Sequence, residues 1–186
     1  SSKIKASLKP YAIDEALVTN AQFQQFLQKS NYKPFYPENF LKHWIDNKVP
    51  VGHEDHPVTW ISLDDARAYA RWTGKRLPTE AEWQWAAQNG TEQTIYPWGN
   101  QYDSSYCNSG QTISTTHTKQ FEIGKTKAGI YDMSGNVWQW TESERSDGYN
   151  NYCILRGGGW YINNASHWYA DQGPQKTSFG AKYLLT

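Results

Sequence analysis

The sequence predicts an α+β fold made of short helices and small antiparallel sheets, with much irregular backbone between them. Aliphatic residues are sparse, whereas Trp, Tyr and Phe number 10, 13 and 6, so aromatic rings must build much of the core. Helix-capping patterns occur at three places, and each is followed by only two or three turns of apolar periodicity. Proline and glycine turn signals interrupt much of the remaining chain.

The first predicted element is a strand or hairpin arm over residues 4–14, which Pro10 confines to a sheet edge. Thr19 then opens a helix, because its hydroxyl can cap the first turn while Gln22 reaches back to it. The buried face of this helix would comprise Phe23, Phe26 and Leu27. Residues 32–57 contain four prolines with aromatic residues between them, which indicates an ordered irregular segment rather than a helix.

Two further helices are predicted by the same capping pattern. Ser62 and Asp65 mark the start of the second helix, and Gly74 is expected just after its end. Its inward residues would be Ala66, Tyr69 and Ala70. Thr79 and Glu82 open the third helix. That helix would pass through Trp83, Ala86 and Ala87 and end near Gly90.

The second half of the chain is predicted to form turns and strands. Residues 97–100 (PWGN) indicate a turn, and strands are expected over residues 136–141, 153–160 and 179–186. The glycine run 157–159 permits left-handed backbone angles and indicates a bulge or a sharp bend.

Composition excludes several classes of protein. Lys plus Arg and Asp plus Glu both number 18, so the formal charge is 18 − 18 = 0 and no basic surplus exists for nucleic acid or an anionic membrane. No apolar run approaches the roughly 20 residues that span a bilayer. No leader peptide is recognisable, so one has been removed or never existed. The aromatic content excludes a disordered chain, and the length suits one domain.

Several stretches resemble, in the same order, the formylglycine-generating enzyme family, whose members are also called sulfatase-modifying factors. The most informative are residues 18–20 (VTN), 56–58 (HPV), 74–83 (GKRLPTEAEW), 97–99 (PWG), 129–138 (GIYDMSGNVW) and 155–158 (LRGG). They cover nearly the whole chain, and GKRLPTEAEW alone is highly specific. The resemblance implies a variant of the C-type lectin fold in a single domain, residues 1–186, without the family's usual first and last strands.

The resemblance also implies where an oxidase site would lie. Founding members use two cysteines to bind copper and oxidise a sulfatase cysteine to formylglycine. The spacing after residues 157–160 places the two positions at about Ile162 and His167. Cu(I) needs thiolate or thioether ligands, so copper and the family oxidation are not expected. The two cysteines present, Cys107 and Cys153, could form a disulfide or remain separate thiols, and the sequence leaves both open.

Calcium is the second cofactor that the resemblance implies. One site would use main-chain oxygens around Asn136 and a glutamate whose position is taken by Gln139, and another would begin at Asn108 and Ser109, where the completing acidic loop is shortened. Calcium prefers six to eight oxygens with several carboxylates, so both changes weaken these candidate ligands.

The histidines offer no clear metal cluster. His53 and His56 lack a third ligand at an obvious spacing, which favours a solvated turn. The alternative for His56 is a structural role, which the resemblance implies for the histidine of the HPV stretch. His43 is expected to pack beside Trp44, and His117 is expected at the surface. No catalytic residue is predicted, because neither a Gly-x-Ser-x-Gly stretch nor a thiol with an evident histidine partner is present.

The segment 160–175 borders the substrate groove in the family, and its flat rings beside amide and carboxylate groups suit a sugar or an extended peptide. The candidate ligand-binding residues are Trp160, Tyr161, Asn163, His167, Trp168, Tyr169 and Asp171. Alternatively these rings fill the core, which is favoured for Trp160 and remains open for Trp168 and Tyr169.

The leading hypothesis is a non-oxidase binding or accessory module for carbohydrate or peptide, located outside the cytoplasm (periplasmic or secreted) and accompanied by a neighbouring domain or further chain segments. The alternative is a divergent metal-dependent oxidoreductase, related to formylglycine-generating or ergothioneine-type non-haem iron enzymes, that borrows a metal site through His167 or a cysteine elsewhere. A purely structural module within a larger chain is a third reading. The sequence favours a role other than enzyme.

Overall fold

The computed structural model describes residues 7–146, 148–149, 151–160 and 177–180. Within these ranges the α-helices are α1 (Asn20–Ser30), α2 (Leu63–Trp72) and α3 (Glu80–Ala87). Single 3₁₀ turns occur at Gly90–Glu92, Ser104–Tyr106 and Glu122–Gly124. All three helices begin with the predicted capping boxes, which pair Thr19 with Gln22, Ser62 with Asp65 and Thr79 with Glu82. Gly74 follows α2 with a φ of 74°, as expected for a residue just past a helix end.

The described strands form one antiparallel sheet in the order β1 (Gln139–Ser146), β2 (Asn151–Arg156) and β3 (Thr177–Gly180). β1 begins three residues later than predicted, because Asn136 has a φ of 64° and the chain is still turning there. β2 ends at Arg156 because Gly157 and Gly158 both take positive φ, which confirms the predicted bend. The last predicted strand is represented by β3, and residues 181–186 lie outside the described part.

The prediction of a strand near the N-terminus is wrong for residues 7–14, which are not part of any sheet. Pro10 lacks the N–H that a ladder requires. The segment is held by other contacts instead: the Tyr11 hydroxyl donates to the Glu82 carbonyl oxygen at 2.7 Å, and Lys75 contacts the Asp14 carboxylate at 2.7 Å. Residues 1–6 lie outside the described part.

Two hydrophobic clusters support the loops. The first joins α1 to the irregular segment that follows it, and its buried residues are Phe23, Phe26, Leu41 and Trp44. Leu27 and Tyr69, which the sequence predicted to be buried, are only half-buried, and they pack against this cluster from its margin. The second cluster lies beneath α3 and comprises Trp83, Ala87, Tyr96, Ile130 and Met133.

Residues 32–57 form no helix, as predicted, and they contribute Leu41 and Trp44 to the first cluster. In the described part of the chain, every helix is too short or too polar to cross a bilayer.

Candidate functional site

The candidate site is built around a tight turn over residues 132–138, here called the GNVW turn, which leads into β1. Asp132, Gly135 and Asn136 all have positive φ, at 54°, 82° and 64°. The Asn136 N–H donates to the Asn108 carbonyl oxygen at 2.8 Å, and the Asn136 carbonyl oxygen accepts from the Trp160 N–H at 2.9 Å. The turn therefore fixes the backbone at the start of the segment that the sequence identified as ligand-binding.

The Gln139 side chain stands where the resemblance places a calcium-binding glutamate, and both ends of its amide are hydrogen-bonded to protein groups. Its Oε1 accepts from the Trp83 indole N–H at 2.8 Å, and its Nε2 donates to the Asp132 main-chain oxygen at 2.6 Å. Gly157 lies so close that a Cβ there would stand 3.0 Å from Nε2. The Gln139 amide therefore connects the Trp83 indole to the Asp132 carbonyl oxygen by hydrogen bonds alone. An ionised glutamate has no N–H for the Asp132 carbonyl oxygen, so it would need a cation between the two oxygens.

The other calcium candidates are also buried among protein partners. Asn108 and Ser109 are 1% and 2% exposed. The Asn108 Oδ1 accepts from the Thr112 hydroxyl at 2.7 Å, and the Ser109 hydroxyl lies 2.8 Å from the Tyr102 hydroxyl.

The Asn136 amide is paired with the backbone of one residue. Its Oδ1 accepts from the Thr116 N–H at 3.0 Å, and its Nδ2 donates to the Thr116 carbonyl oxygen at 3.2 Å. The structure thus brings the four calcium candidates to one region: Asn108, Ser109, Asn136 and Gln139. Their neutral amides and hydroxyls are occupied by protein groups, so this donor set does not fit calcium, which prefers several carboxylates.

Asp132 is a buried carboxyl group that the sequence analysis did not single out. Its carboxylate accepts from the Lys119 N–H at 3.2 Å and from the Asn136 amide at 3.3 Å. Burial raises the pKa of Asp132 to about 6, outweighing these hydrogen bonds, because an apolar environment disfavours the charged form. The aspartate within GIYDM was the available signal, although its burial could not be read from the sequence.

The histidine prediction needs a correction. His56 is buried, and it contacts both His53 and His117, with ring centroids 4.5 Å and 4.6 Å away. Its Nδ1 lies 2.8 Å from the Thr115 hydroxyl oxygen. Burial, together with the two neighbouring imidazoles, lowers the pKa of His56 to about 4. The solvated-turn reading is therefore wrong for His56, because its backbone oxygen accepts from the Asn20 N–H and draws it inward.

The expectations for two other histidines are confirmed: His43 packs edge-on near Trp44, and His117 is exposed. Across residues 7–160, excluding 147 and 150, and 177–180, no three His, Cys, Asp or Glu side chains are arranged to hold a metal ion.

Cys107 and Cys153 are both buried, and the two thiols are not joined in a disulfide. The Cys153 Sγ donates to the Thr141 carbonyl oxygen at 3.1 Å, and burial raises the pKa of this thiol to about 11. A thiol with so high a pKa is a poor nucleophile at neutral pH.

Among the predicted ligand-binding residues, Trp160 is described, and it is half-buried at the end of the bend that follows β2. The others lie outside the described residues: Tyr161, Asn163, His167, Trp168, Tyr169 and Asp171.

The short helices, the small antiparallel sheet and the GNVW turn define an α+β domain of the C-type-lectin-like class. A family described as "Sulfatase-modifying factor enzyme 1-like domain" matches residues 2–183. The chain belongs to this family, the formylglycine-generating enzyme family. The resemblance inferred from the sequence motifs is thereby confirmed.

Similar proteins include both inactive and active members by name. The chain is 30% identical over 202 residues to bovine (Bos taurus) "Inactive C-alpha-formylglycine-generating enzyme 2", covering 84% of this chain and 67% of that protein. It is 33% identical over 181 residues to the "Formylglycine-generating enzyme" of Thermomonospora curvata, covering 72% and 59%. The chain therefore spans about two thirds or less of the length of these relatives.

A solved structure supports the fold. The structure of PvdO from Pseudomonas aeruginosa has a TM-score of 0.67 and 18% sequence identity, and the match covers 91% of this chain and 74% of that one.

Proposed function

We propose that this chain is a formylglycine-generating-enzyme-like domain that binds a ligand as a binding or accessory module and does not carry out copper-dependent oxidation. The observation that carries this proposal is the sequence at the family's thiolate positions, which fall at about Ile162 and His167 and contain no cysteine. An isoleucine offers no ligand and an imidazole is no substitute for a second thiolate at a Cu(I) site. The similar proteins include one named as inactive and one named as an enzyme, so similarity alone does not choose between them. The residues at the two thiolate positions favour the inactive kind.

The proposed ligand is a carbohydrate or an extended peptide, bound by the aromatic and polar residues of the segment 160–171. The described structure supports a fixed entry to this segment. The Trp160 N–H is tied to Asn136, and Asn136 is tied to both Asn108 and Thr116. A rigid entry reduces the entropy lost when a ligand orders the binding surface.

The proposal places the domain outside the cytoplasm, in contact with a neighbouring domain or further chain. The balanced charge favours a role that does not involve nucleic acid, because it provides no attractive field for phosphates.

Binding to an array of glycans and to immobilised peptides tests the proposal. We expect retention of at least one ligand, with loss of at least tenfold in affinity for Trp168→Ala. Tyr149→Ala is the matched control, because Tyr149 is a described aromatic residue with 95% exposure that lies outside the segment. A protein that retains no glycan or peptide, or a Trp168→Ala variant that binds normally, contradicts the ligand-binding proposal.

A second measurement addresses the alternative of a divergent oxidoreductase. Metal analysis of the purified full-length protein should give no stoichiometric copper or iron, and a cysteine-bearing peptide should cause no oxygen consumption when copper is added. Turnover of that peptide would refute the non-oxidase proposal.

A further inference from the structure

A surface groove of about 340 Å³ lies between the end of α3, the 3₁₀ turn Gly90–Glu92 and the loop 127–130. Its lining comprises Tyr11, Ile13, Trp85, Ala86, Asn89, Gly90, Glu92, Lys127, Ala128 and Ile130. The volume is within the range of small-molecule sites, and among the described residues the lining includes none from the segment 160–171. The groove is therefore a candidate site of its own.

The groove combines an apolar floor with one large ring. Ile13, Ala86 and Ile130 supply aliphatic surface that continues the second hydrophobic cluster. Trp85 is 45% exposed, whereas Trp83, two residues earlier on α3, is 1% exposed and fills the core. Gly90 lies against the Trp85 indole, so that a Cβ there would stand 3.3 Å from the ring. The indole is thus supported on one side and accessible on another.

The polar wall of the groove is held in place by hydrogen bonds. The Asn89 Oδ1 accepts from the Lys127 N–H at 2.8 Å, and the Asn89 Nδ2 donates to Thr94 Oγ1 at 2.9 Å and to the Pro97 carbonyl oxygen at 2.8 Å. The Tyr11 hydroxyl is bound to α3. The groove is consequently formed before a ligand arrives, which favours affinity.

One charged pair stands in this groove. Lys127 Nζ lies 2.6 Å from a Glu92 carboxylate oxygen, and the two side chains are 68% and 45% exposed. Their charges cancel, so the groove attracts neither anions nor cations strongly. An exposed pair of this kind contributes little stability. The Glu92 carboxylate can accept further hydrogen bonds from hydroxyl groups, and the Lys127 ammonium can donate to hydroxyl oxygens.

We propose that this groove binds a neutral oligosaccharide, with the C–H face of one sugar ring on the Trp85 indole and its hydroxyl groups on Glu92 and Lys127. The chemistry favours a sugar over an extended peptide, because the groove is bordered by helix, 3₁₀ turn and loop, and none of its lining residues lies in a described strand whose edge could pair with a peptide backbone. This site goes beyond the proposed function, which rests on the segment 160–171.

The test uses an array of oligosaccharides of glucose, galactose, mannose and N-acetylglucosamine, with sialylated glycans for comparison. We expect at least one neutral glycan to be retained, with affinity at least tenfold weaker for Trp85→Ala and intermediate for Trp85→Phe, which keeps a flat ring. Tyr149→Ala should bind normally, and circular dichroism establishes that each variant is folded.

The outcomes separate this site from the segment 160–171. Loss of neutral-glycan binding in Trp85→Ala together with normal binding in Trp168→Ala supports the groove. Loss in Trp168→Ala with normal binding in Trp85→Ala overturns the groove and leaves the proposed function standing. Retention of no neutral glycan, or retention of sialylated glycans alone, overturns the groove as well.

Discussion

Replacing Gly135 by alanine should be among the most destabilising single-methyl changes in this domain. Gly135 has a φ of 82° and sits in the GNVW turn, where an added Cβ would stand 2.4 Å from the Asn108 carbonyl oxygen. A real side chain does not tolerate that distance, and the obstacle is backbone, so the turn and the Asn108 loop must separate. That movement would disturb the 2.8 Å bonds from Gly135 N–H to Gly157 and from Asn136 N–H to Asn108.

The size of the effect follows from two contributions. A left-handed φ costs a non-glycine residue about 1–2 kcal/mol. Weakening two buried hydrogen bonds adds about 1 kcal/mol each and more where a partner is left unsatisfied. The sum is about 3–5 kcal/mol, a large part of the roughly 5–15 kcal/mol that stabilises a typical domain.

Gly129→Ala is the matched control, because Gly129 has a φ of 86° but no atom within 4 Å of the added Cβ. The free energy of unfolding of Gly129→Ala should fall only by the contribution of backbone strain, about 1–2 kcal/mol. Urea unfolding followed by tryptophan fluorescence gives both free energies of unfolding, with unchanged m-values expected. Equal destabilisation of the two variants, within about 0.5 kcal/mol of measurement error, would refute the assigned contact with Asn108.

Three further predictions concern charged and polar groups. Glu82→Gln should lower the free energy of unfolding by about 1–2 kcal/mol at pH 7, because the Glu82 carboxylate holds both Arg76 nitrogens at 2.7 Å. Hydrogen bonding to Arg76 is the main reason that the pKa of Glu82 is lowered to about 2. In urea titrations the difference in unfolding free energy between wild type and variant should therefore persist above pH 4.5 and disappear as the pH falls toward 2. Because the pKa of His56 is lowered to about 4 in the folded protein, protonation favours the unfolded chain, and wild-type stability should fall as the pH decreases from 6.5 to 4. The His56→Gln variant should show a shallower decline in melting temperature over that range. Parallel curves for the two proteins would contradict this prediction. Gln139→Glu removes the N–H donated to the Asp132 carbonyl oxygen and should lower the free energy of unfolding by about 1–3 kcal/mol. In thermal melts, millimolar calcium should restore part of the variant's stability and leave the wild type unchanged.

The helices were predictable because their signals are local. Thr79 and Glu82 are three residues apart, and each satisfies the other's backbone N–H without help from the rest of the fold. The contacts of His56 were not predictable in this way, because Thr115 and His117 come from a loop some 60 residues later in the sequence. The beginning of β1 was missed for a related reason: an asparagine can adopt extended or left-handed angles, and contacts with Asn108 decide between them.

In the candidate site, too, the features with a local sequence signal were predictable and those that depend on distant contacts were not. The family resemblance indicated Asn136 and Gln139 as candidates for one calcium site and Asn108 and Ser109 as candidates for another. The hydrogen bond from the Asn136 N–H to the Asn108 carbonyl oxygen, which joins the two regions, was not predictable from the motifs. The raised pKa of Asp132 and the two hydrogen bonds of Gln139 depend on burial and on Trp83, which no spacing in the sequence reveals.

The ties at Asn136 have a consequence for the order in which the domain assembles. Its side chain pairs with Thr116 across 20 residues of chain, and its backbone joins Asn108 on one side and Trp160 on the other. Closing loops of this length before any helix has formed loses chain entropy with little return, whereas each capped helix can begin to form from its own few residues. The contacts that join Asn136 to Asn108, Thr116 and Trp160 should therefore form late in folding, after the capped helices.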